Sequence, residues 1–164
     1  MSSPQVRVRP ATQEDAELLH RWRNDPEVRG LSRSSDPIAL DTHAAWLRAS
    51  LASPDRHLLL VEAEDGTPVG TTRYDLLSPG DDGGGARTRW EVSITVALEM
   101  RGRGMGSSTL QASDAWLREA EPATTEIVAL VRPENTGSRH LFERNGYGAV
   151  SSAEPDMHCF VRLW

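Results

Sequence analysis

The chain has 164 residues, a formal net charge of −6 and one cysteine, Cys159. This length favours one domain, residues 1–164, whose core needs no disulfide, and the acidic balance argues against a nucleic-acid surface. The unpaired thiol, with the absence of an apolar leader or of an apolar run of about 18 residues, predicts a cytoplasmic protein that does not enter a membrane.

The first elements predicted along the chain are a strand and a helix. Alternating valines indicate a half-buried strand over residues 5–9, and the pair Thr12 and Asp15 is typical of a capping box at a helix start. This helix is expected to end at Pro26, after which residues 31–40 are polar and predicted irregular. A βα unit therefore opens the chain.

A second helix is predicted to begin at Asp41, whose carboxylate suits an N-cap, with Leu47 and Leu51 on its apolar face. His43 and Trp46 lie three residues apart on this helix and are therefore neighbours on its surface. The spacing fits a surface histidine beside a half-buried tryptophan, and it fits equally a pair that contacts a ligand.

A hairpin and a central strand are predicted next. Residues 57–64 and 68–76 indicate two strands around a turn-forming Asp-Gly pair. Residues 78–86 are rich in glycine and predict a mobile loop. The loop leads to a strand over residues 90–97, WEVSITVA, in which β-branched and apolar residues predominate.

Glycines alternate with bulkier residues over residues 102–106, directly after the central strand. Glycine lets the backbone come close to a ligand and turn its N–H groups toward it. The spacing of apolar residues, counted from Met105, predicts a helix over residues 107–120, and a helix N-terminus adds unpaired N–H groups and a positive dipole end. With charge from Arg101 and Arg103, the segment is predicted to bind an anion such as a diphosphate.

Two other phosphate-binding loops fit this segment poorly. A nucleoside-triphosphate loop needs Lys-Ser/Thr after its last glycine, whereas Ser107 and Ser108 follow here and the chain has no lysine. A dinucleotide fingerprint needs G-x-G-x-x-G, whereas the spacing here is G-x-G-x-G. A plain tight turn remains an alternative for the glycines taken alone.

The C-terminal part predicts a strand, a helix and two closing strands. Residues 126–132 form a near-continuous apolar run, as expected for a strand covered on both faces. Asn135 suits the N-cap of a third helix and Gly146 its C-terminal end. Residues 148–152 and 158–164 predict strands that pair in antiparallel fashion.

Two motifs, in this order, resemble those of the GNAT superfamily of N-acetyltransferases. The loop RGRGMG, residues 101–106, is similar to the family's pyrophosphate loop, Arg/Gln-x-x-Gly-x-Gly/Ala, and residues 131–147, VRPENTGSRHLFERNGY, resemble its acceptor-proximal motif. The opening βα unit over residues 6–29 also resembles the start of such an enzyme, closest to the branch that acetylates ribosomal proteins and amino sugars. The resemblance implies an α/β fold with a mixed, mostly antiparallel sheet of six or seven strands and helices on both faces.

The same resemblance implies acetyl-CoA as the cosubstrate. The family's central strand splays from its neighbour and offers a backbone N–H to the thioester carbonyl, at the position of Thr95 and Val96 here. Asn135 and Ser138 match positions near the pantetheine arm, although helix capping alone could explain Asn135. The residues expected to bind the cosubstrate are Thr95, Val96, Arg101, Gly102, Arg103, Gly104, Met105, Gly106, Ser107, Asn135, Ser138 and Phe142.

The reaction implied by the resemblance needs a base and an acid. Glu91 lies where related enzymes carry a glutamate that takes the amine proton, and its alternative role is an ion pair with Arg87 or Arg89. Phe142 stands where many members have a tyrosine that protonates the departing thiolate, so this chain departs from the family pattern. Tyr147 is a candidate substitute, and water is another.

The acceptor is expected to be the primary amine of a small molecule, such as a free or nucleotide-linked amino sugar. The Trp-Arg-Asn segment and the His-x-x-Trp element resemble acceptor-side features of such enzymes, although core packing is an alternative for the tryptophan at 22. The candidate substrate-binding residues are Trp22, Arg23, Asn24, Arg29, His43 and Trp46, with Arg33 as a further candidate for contacting phosphate. Direct attack in a ternary complex is expected, because Cys159 matches no nucleophile position.

Other functions stay open at this stage. They are acetylation of a protein N-terminus, modification of an antibiotic, and a non-catalytic module that binds acetyl-CoA. The five histidines are scattered without ligand spacing, so no metal site is predicted. The resemblance also implies a possible homodimer, by analogy with the family.

Overall fold

The computed structural model describes residues 3–32, 34–77 and 88–164. The predicted loop over residues 78–86 and the candidates Arg33 and Arg87 lie outside the described residues. The described ranges contain seven strands: β1 (Val6–Pro10), β2 (Arg56–Ala63), β3 (Pro68–Leu77), β4 (Thr88–Val96), β5 (Thr124–Val131), β6 (Gly148–Val150) and β7 (His158–Leu163). They form one sheet in the order β1-β2-β3-β4-β5-β7-β6, in which only β4 and β5 pair in parallel.

Five α-helices in the same ranges accompany this sheet: α1 (Ala16–Arg23), α2 (Pro26–Leu31), α3 (Leu40–Ala52), α4 (Met105–Ala120) and α5 (Thr136–Arg144). Short 3-10 turns precede α1 (Gln13–Asp15) and follow β4 (Leu98–Met100). No helix in the described part of the chain is both long and apolar enough to span a bilayer.

Side chains that alternate along β2 show that helices cover both faces of the sheet. Leu59 packs in a core cluster with Leu110 and Leu117 of α4, whereas Leu58 and Leu60 pack in a second cluster with residues of α1 and α3. Successive strand residues point to opposite faces, so the two clusters lie on opposite sides of the sheet. The predicted fold class, a mixed and mostly antiparallel sheet between helices, is confirmed.

The segment between α1 and α3 differs from the prediction, because it contains a further helix. Pro26 does not simply end α1 but occupies the first turn of α2, where a missing N–H costs nothing. The Asp25 side chain caps this helix by accepting from the N–H groups of Glu27 and Val28 at 3.0 and 3.2 Å. Arg29 therefore lies on a helix and not in a loop.

Helix α3 begins one residue before the predicted cap. Ala39 is the N-cap, and Asp41 lies within the first turn without capping it. The buried face consists of His43, Leu47 and Ser50, whereas Leu51 is exposed. The predicted apolar face was therefore wrong at Leu51. Two polar residues, His43 and Ser50, occupy buried positions on this helix, which the spacing of apolar residues could not indicate.

The buried face of α4 is also more polar than apolar spacing indicates. Ser113 and Asp114 are buried beside Leu110 and Leu117, whereas Trp116 is half-buried. The Asp114 carboxylate accepts from three donors: the hydroxyl of Tyr74 at 2.6 Å, the hydroxyl of Tyr147 at 2.9 Å and the guanidinium of Arg162 at 3.0 Å. This network joins α4 to β3 and β7 through the core.

The parallel contact between β4 and β5 is short, and the two strands then separate. It runs from the pair Thr88–Thr124 to the pair Glu91–Val128. Beyond Glu91, β4 continues to Val96 alongside β3 alone, and β5 continues alongside β7. The sheet thus opens into a fork whose apex is at Glu91, as expected for the central strand.

Candidate active site

The glycine loop between β4 and α4 has a backbone conformation that other residues rarely adopt. Gly102 and Gly104 have φ angles of 72° and 76°, in the left-handed region, and Gly104 is the N-cap of α4. A side chain at either position would cost roughly 1–2 kcal/mol in backbone strain. No side chain of the described residues caps α4. The first N–H groups of the helix are therefore available to a ligand.

Arg101 ties this loop to two other elements. Its Nε donates to the carbonyl oxygen of Val96 at 3.1 Å, and its Nη1 forms an ion pair with Glu27 of α2. The first contact fixes the loop to the end of β4. The second brings α2, an element that sequence analysis did not predict, against the loop.

A cleft of about 440 Å³ lies over this loop, and we call it the loop cleft. Its walls come from α2, from the end of β4, from the glycine loop and from the start of α5. The lining residues are Glu27, Val28, Leu31, Ser32, Ile94, Thr95, Val96, Arg101, Gly102, Gly104, Gly106, Ser107, Asn135, Gly137, Ser138, Leu141 and Arg144.

The loop cleft collects most of the residues predicted to bind the cosubstrate. Those present in its wall are Thr95, Val96, Arg101, Gly102, Gly104, Gly106, Ser107, Asn135 and Ser138. Arg103 is exposed and Met105 half-buried, and neither lines this cleft. The spacing could not show this, because alternate residues of a tight loop face in different directions.

Close packing of α4 on α5 shapes the floor of the loop cleft. A Cβ atom at Gly106 would lie 3.2 Å from Cδ1 of Leu141, which is tighter than ordinary contact. The Ser107 hydroxyl accepts from the Asn145 side chain at 3.0 Å. Asn135 is the N-cap of α5 and accepts from the Ser138 N–H at 3.1 Å. Capping therefore accounts for the position of Asn135 and holds Ser138 beside it.

A second cleft, of about 340 Å³, occupies the space where β4 and β5 separate, and we call it the fork cleft. It shares Thr95, Asn135 and Ser138 with the loop cleft, so the two spaces adjoin. Its lining residues are Arg23, Val28, Leu31, Ser32, Ser34, Arg73, Glu91, Val92, Ser93, Ile94, Thr95, Leu130, Val131, Arg132, Asn135, Ser138, Phe142 and Met157.

Glu91 lines the fork cleft at its apex. It is half-buried and stands opposite Asp75 in the antiparallel register of β3 and β4. Arg89, one partner suggested for it, pairs with Glu126 at 3.1 Å. The structure thus brings Glu91 within the same cleft as Thr95, the residue expected beside the thioester.

Phe142 and Tyr147, the two aromatic residues considered for the acid step, have different surroundings. Phe142 lines the fork cleft but has no proton to donate. Tyr147 is 2% exposed, lines neither cleft and donates its hydroxyl to Asp114. Burial, followed by the charge of Asp114, raises the pKa of Tyr147 well above its usual range. Its hydroxyl belongs to the core network, so the structure does not support an acid role for Tyr147.

A smaller pocket of about 90 Å³ adjoins the fork cleft beneath α1 and α3, and we call it the aromatic pocket. It brings together four predicted substrate-side residues, Trp22, Arg23, His43 and Trp46. Trp22 is buried in the second core cluster, as the packing alternative expected. The remaining lining residues are Leu19, Leu58, Thr71, Arg73, Ser93 and Thr95.

Two other predicted substrate-side residues support the backbone and line none of these three cavities. The side chain of Asn24 donates to the Ile38 carbonyl at 2.7 Å and accepts from the Ile38 N–H at 2.9 Å. Arg29 donates to the carbonyls of Asn24 at 3.1 Å and Ser35 at 3.3 Å. The predicted ligand contacts of Asn24 and Arg29 are therefore corrected, because both side chains hold the segment between α1 and α3.

Sequence analysis missed Arg73 and Ser93. They are register partners on β3 and β4, and both line the fork cleft and the aromatic pocket. Along their strands they alternate with Tyr74 and Val92, whose side chains pack in the core cluster that contains Leu110 and Leu117 of α4. Strand alternation gave the face of each residue, but only the pairing of β3 with β4 shows that this face meets α1 and α3.

A family model described as the acetyltransferase (GNAT) domain matches residues 5–148. The chain belongs to this family. The prediction of an acyltransferase is thereby confirmed, while the ribosomal-protein and amino-sugar branch is not distinguished. No curated protein matches the chain in sequence.

Solved structures that resemble this GNAT domain share its fold at low identity. The aminoglycoside acetyltransferase AAC(6')-Ib in complex with coenzyme A has a TM-score of 0.81 at 19% identity, over 97% of this chain and 95% of that chain. The spermidine N-acetyltransferase from Vibrio cholerae, in complex with CoA and spermine, has a TM-score of 0.81 at 16% identity over the same shares. An acetyltransferase from Thermus thermophilus has a TM-score of 0.77 at 22% identity and covers all of both chains.

Two residues that line the aromatic pocket have lowered pKa values. Burial, then the positive charges of Arg73 and Arg29, lower the pKa of Arg23. Burial, then His20 and Arg23, lower the pKa of His43, so its ring is neutral at pH 7. Among the described residues, the wall of the aromatic pocket contains this imidazole and two arginines but no carboxylate.

Proposed function

We propose that this GNAT domain transfers an acetyl group from acetyl-CoA to the primary amine of a small molecule such as an amino sugar, free or nucleotide-linked, by direct attack in a ternary complex. One observation carries the proposal: the loop cleft and the fork cleft adjoin at Thr95, and Glu91 lines the fork cleft. A donor held by the loop and an amine held near Glu91 would therefore meet on the same strand.

The loop cleft fits the diphosphate and the pantetheine arm of acetyl-CoA. The left-handed Gly102 and Gly104, together with the uncapped start of α4, present N–H groups that suit a diphosphate, and Arg101 adds charge. Beyond Glu91, the edge of β4 that faces β5 has no strand partner among the described residues, so an extended arm could bond to its backbone as an added strand. Solved relatives in this fold carry coenzyme A or acetyl-CoA.

The chemistry that the cosubstrate supplies is an electrophilic thioester carbonyl. An aliphatic amine has a pKa near 10.4 and must lose a proton before it attacks. We assign that proton to the Glu91 carboxylate, directly or through a water molecule. A backbone N–H of β4 near Thr95 and Val96 would donate to the oxyanion that develops.

Protonation of the departing thiolate does not need a tyrosine in this proposal. Both tyrosines of the chain, Tyr74 and Tyr147, donate their hydroxyls to Asp114 in the core. A free thiol has a pKa near 8.5, so its thiolate is a moderate leaving group and can take a proton from water. This assignment replaces Tyr147 in the reaction.

The named activities of the structural neighbours support a small amine as acceptor, since they include aminoglycoside and spermidine N-acetyltransferases. The decisive experiment measures release of free thiol from acetyl-CoA with a panel of amino sugars, nucleotide-linked amino sugars, aminoglycosides, polyamines and N-terminal peptides. Turnover of a small amine supports the proposal. Turnover of peptides alone would favour protein N-terminal acetylation, and tight binding of acetyl-CoA without any turnover would favour a non-catalytic module.

Homodimer formation and a cytoplasmic location stay predictions. Sedimentation of the purified protein would test the first.

A further inference from the structure

Arg23 is half-buried, and its guanidinium group is only partly satisfied. Its Nη2 donates to the Ser34 carbonyl at 3.1 Å, whereas its Nη1 is buried and has no hydrogen-bond partner among the described residues. Arg23 lines both the fork cleft and the aromatic pocket. A buried donor without an acceptor is costly, and more so when it is charged, so an acceptor supplied by a ligand would lower that cost.

A second guanidinium, that of Arg73, lines the same two cavities from β3. Its Nε donates to Asp75 at 2.9 Å, but Asp75 also forms an ion pair with Arg56. One carboxylate therefore serves two guanidinium groups. Among the described residues that line the fork cleft, Arg23, Arg73 and Arg132 stand against one carboxylate, that of Glu91, which leaves a local excess of positive charge. Like charges placed close together repel unless an anion lies between them.

Trp46, in the wall of the aromatic pocket, contacts Arg73 and Arg56 without neutralising their charge. The guanidinium carbons of Arg73 and Arg56 lie 5.9 and 5.6 Å from the ring centroid of Trp46, within the range of cation–π contacts. Nδ1 of His43, which lines the same pocket, is also buried without a partner among the described residues. A neutral imidazole can donate from that atom. Three side chains from α1, α3 and β3 thus converge, and two of them carry an unused polar atom.

We propose that the acceptor amine carries an oxyanion, a carboxylate or a phosphate, which binds between Arg23 and Arg73 at the mouth of the aromatic pocket. This inference rests on the proposed function, because the amine of the same molecule must reach Glu91 in the fork cleft. Guanidinium groups bind carboxylate and phosphate oxygens with two parallel donors, which suits both ligand classes. The acceptor class is therefore an anionic amine, such as an amino acid or a phosphorylated amino sugar, and not a polycation.

Matched amine pairs test the inference by turnover. Glucosamine 6-phosphate is compared with glucosamine, and 4-aminobutyrate with its amide, each by kcat/KM for thiol release from acetyl-CoA. We expect at least one anionic member to exceed its neutral partner by about tenfold or more, the loss of a charged hydrogen bond being worth at least that. The pair with the larger ratio identifies phosphate or carboxylate as the ligand. Equal kcat/KM within both pairs would overturn the inference while leaving the proposed function intact.

Variants of the two arginines test which side chains carry the preference. Arg23→Gln and Arg73→Gln should each lower the ratio of anionic to neutral kcat/KM about tenfold, and Arg73→Lys should retain part of it. Arg48→Gln is the matched control, because Arg48 is an exposed arginine on α3 that lines none of the three cavities. A ratio that stays unchanged in both glutamine variants would assign the preference to other residues and overturn the inference.

Binding gives a readout that does not depend on turnover. Calorimetry with glucosamine 6-phosphate and with 4-aminobutyrate, at saturating coenzyme A so that the loop cleft is filled, should show binding that weakens about tenfold in Arg23→Gln and Arg73→Gln. Circular dichroism and Tm verify that the variants fold. Binding without turnover of any amine would contradict the proposed function but support the anion site. The absence of binding for either ligand, with turnover of neutral amines, would contradict only the anion site.

Discussion

The loop cleft and the aromatic pocket meet at Thr95 but are built in different ways. In the loop cleft, residues 94–107 are the largest group of lining residues from one continuous segment, and they contribute backbone features: left-handed glycines, an uncapped helix start and a strand edge. The aromatic pocket is mainly side chains, contributed by α1, α3, β2, β3 and β4. A backbone site suits a cosubstrate that a whole family shares. A side-chain site can be changed residue by residue, so under the proposed function it is where the choice of acceptor would be set.

Replacement of Glu91 tests the chemical step between the two regions and has the largest expected effect. Glu91→Gln keeps the size of the side chain but removes the proton acceptor, so kcat should fall about 10²–10⁴-fold, while acetyl-CoA affinity stays within about twofold. Stopped-flow or steady-state thiol release and calorimetry measure the two quantities. Glu62→Gln on β2, an ion-paired strand glutamate outside all three cavities, is the control. Normal turnover of Glu91→Gln with every accepted amine would show that another group takes the proton.

Replacement of a loop glycine tests whether the loop cleft depends on backbone geometry. Gly104→Val places a branched side chain at a φ of 76°, which costs about 1–3 kcal/mol unless the loop changes its path. Acetyl-CoA affinity should therefore fall by about tenfold or more. Gly66→Val is the matched control, since Gly66 has a φ of 85° in the hairpin between β2 and β3 and has open space around it. If both variants bind acetyl-CoA equally well, the loop does not hold the cosubstrate.

Replacement of Tyr147 tests whether this residue serves the core alone and takes no part in the reaction. Tyr147→Phe removes one of three donors to Asp114, so the free energy of unfolding should fall by about 1 kcal/mol. For a chain of this length, that corresponds to a Tm lower by about 2–4 °C. The maximal rate should stay within about twofold. Tyr74→Phe removes the parallel hydroxyl and should behave alike. A large loss of kcat in Tyr147→Phe alone would restore Tyr147 as the acid.

His43 tests the electrostatics of the aromatic pocket and should give the smallest effect. Its pKa is lowered in the folded chain, chiefly by burial, whereas the unfolded value is near 6.5. Below that pH the unfolded chain binds a proton that the folded chain does not, so stability falls as the pH drops. His43→Gln should flatten this decline between about pH 7.5 and pH 5 in a Tm series. Parallel curves for wild type and His43→Gln would contradict the expectation.

The parts of the molecule that the sequence predicted are those set by local rules. The Gly102–Gly104 loop, the capping role of Asn135 and the strand alternation that puts Glu91 on one face all depend on near neighbours in the chain. Helix α2 was missed because Pro26 was taken as a helix end, although the same residue suits a first turn.

What local rules could not supply is contact between distant segments. The Asp114 network joins residues 33 to 48 positions apart in sequence. The pattern of apolar residues did not predict it, because Asp114 is a carboxylate on the buried face of α4. Arg73 was missed for the same reason, since nothing near it in the chain indicates that it faces Arg23. The backbone contacts of Asn24 were missed because its partner, Ile38, lies within residues 31–40, which the sequence left irregular.

The short contact between β4 and β5 is also what joins the two halves of the sheet. In the described part of the chain they are held edge to edge only from the pair Thr88–Thr124 to the pair Glu91–Val128. Trp90 and Ile127, which are register partners in this seam and are 1% and 0% exposed, belong to the core cluster beside it. Neither residue lines the loop cleft or the fork cleft. The opening where the proposed donor and acceptor would meet therefore begins at a seam whose packing comes from apolar side chains outside both clefts.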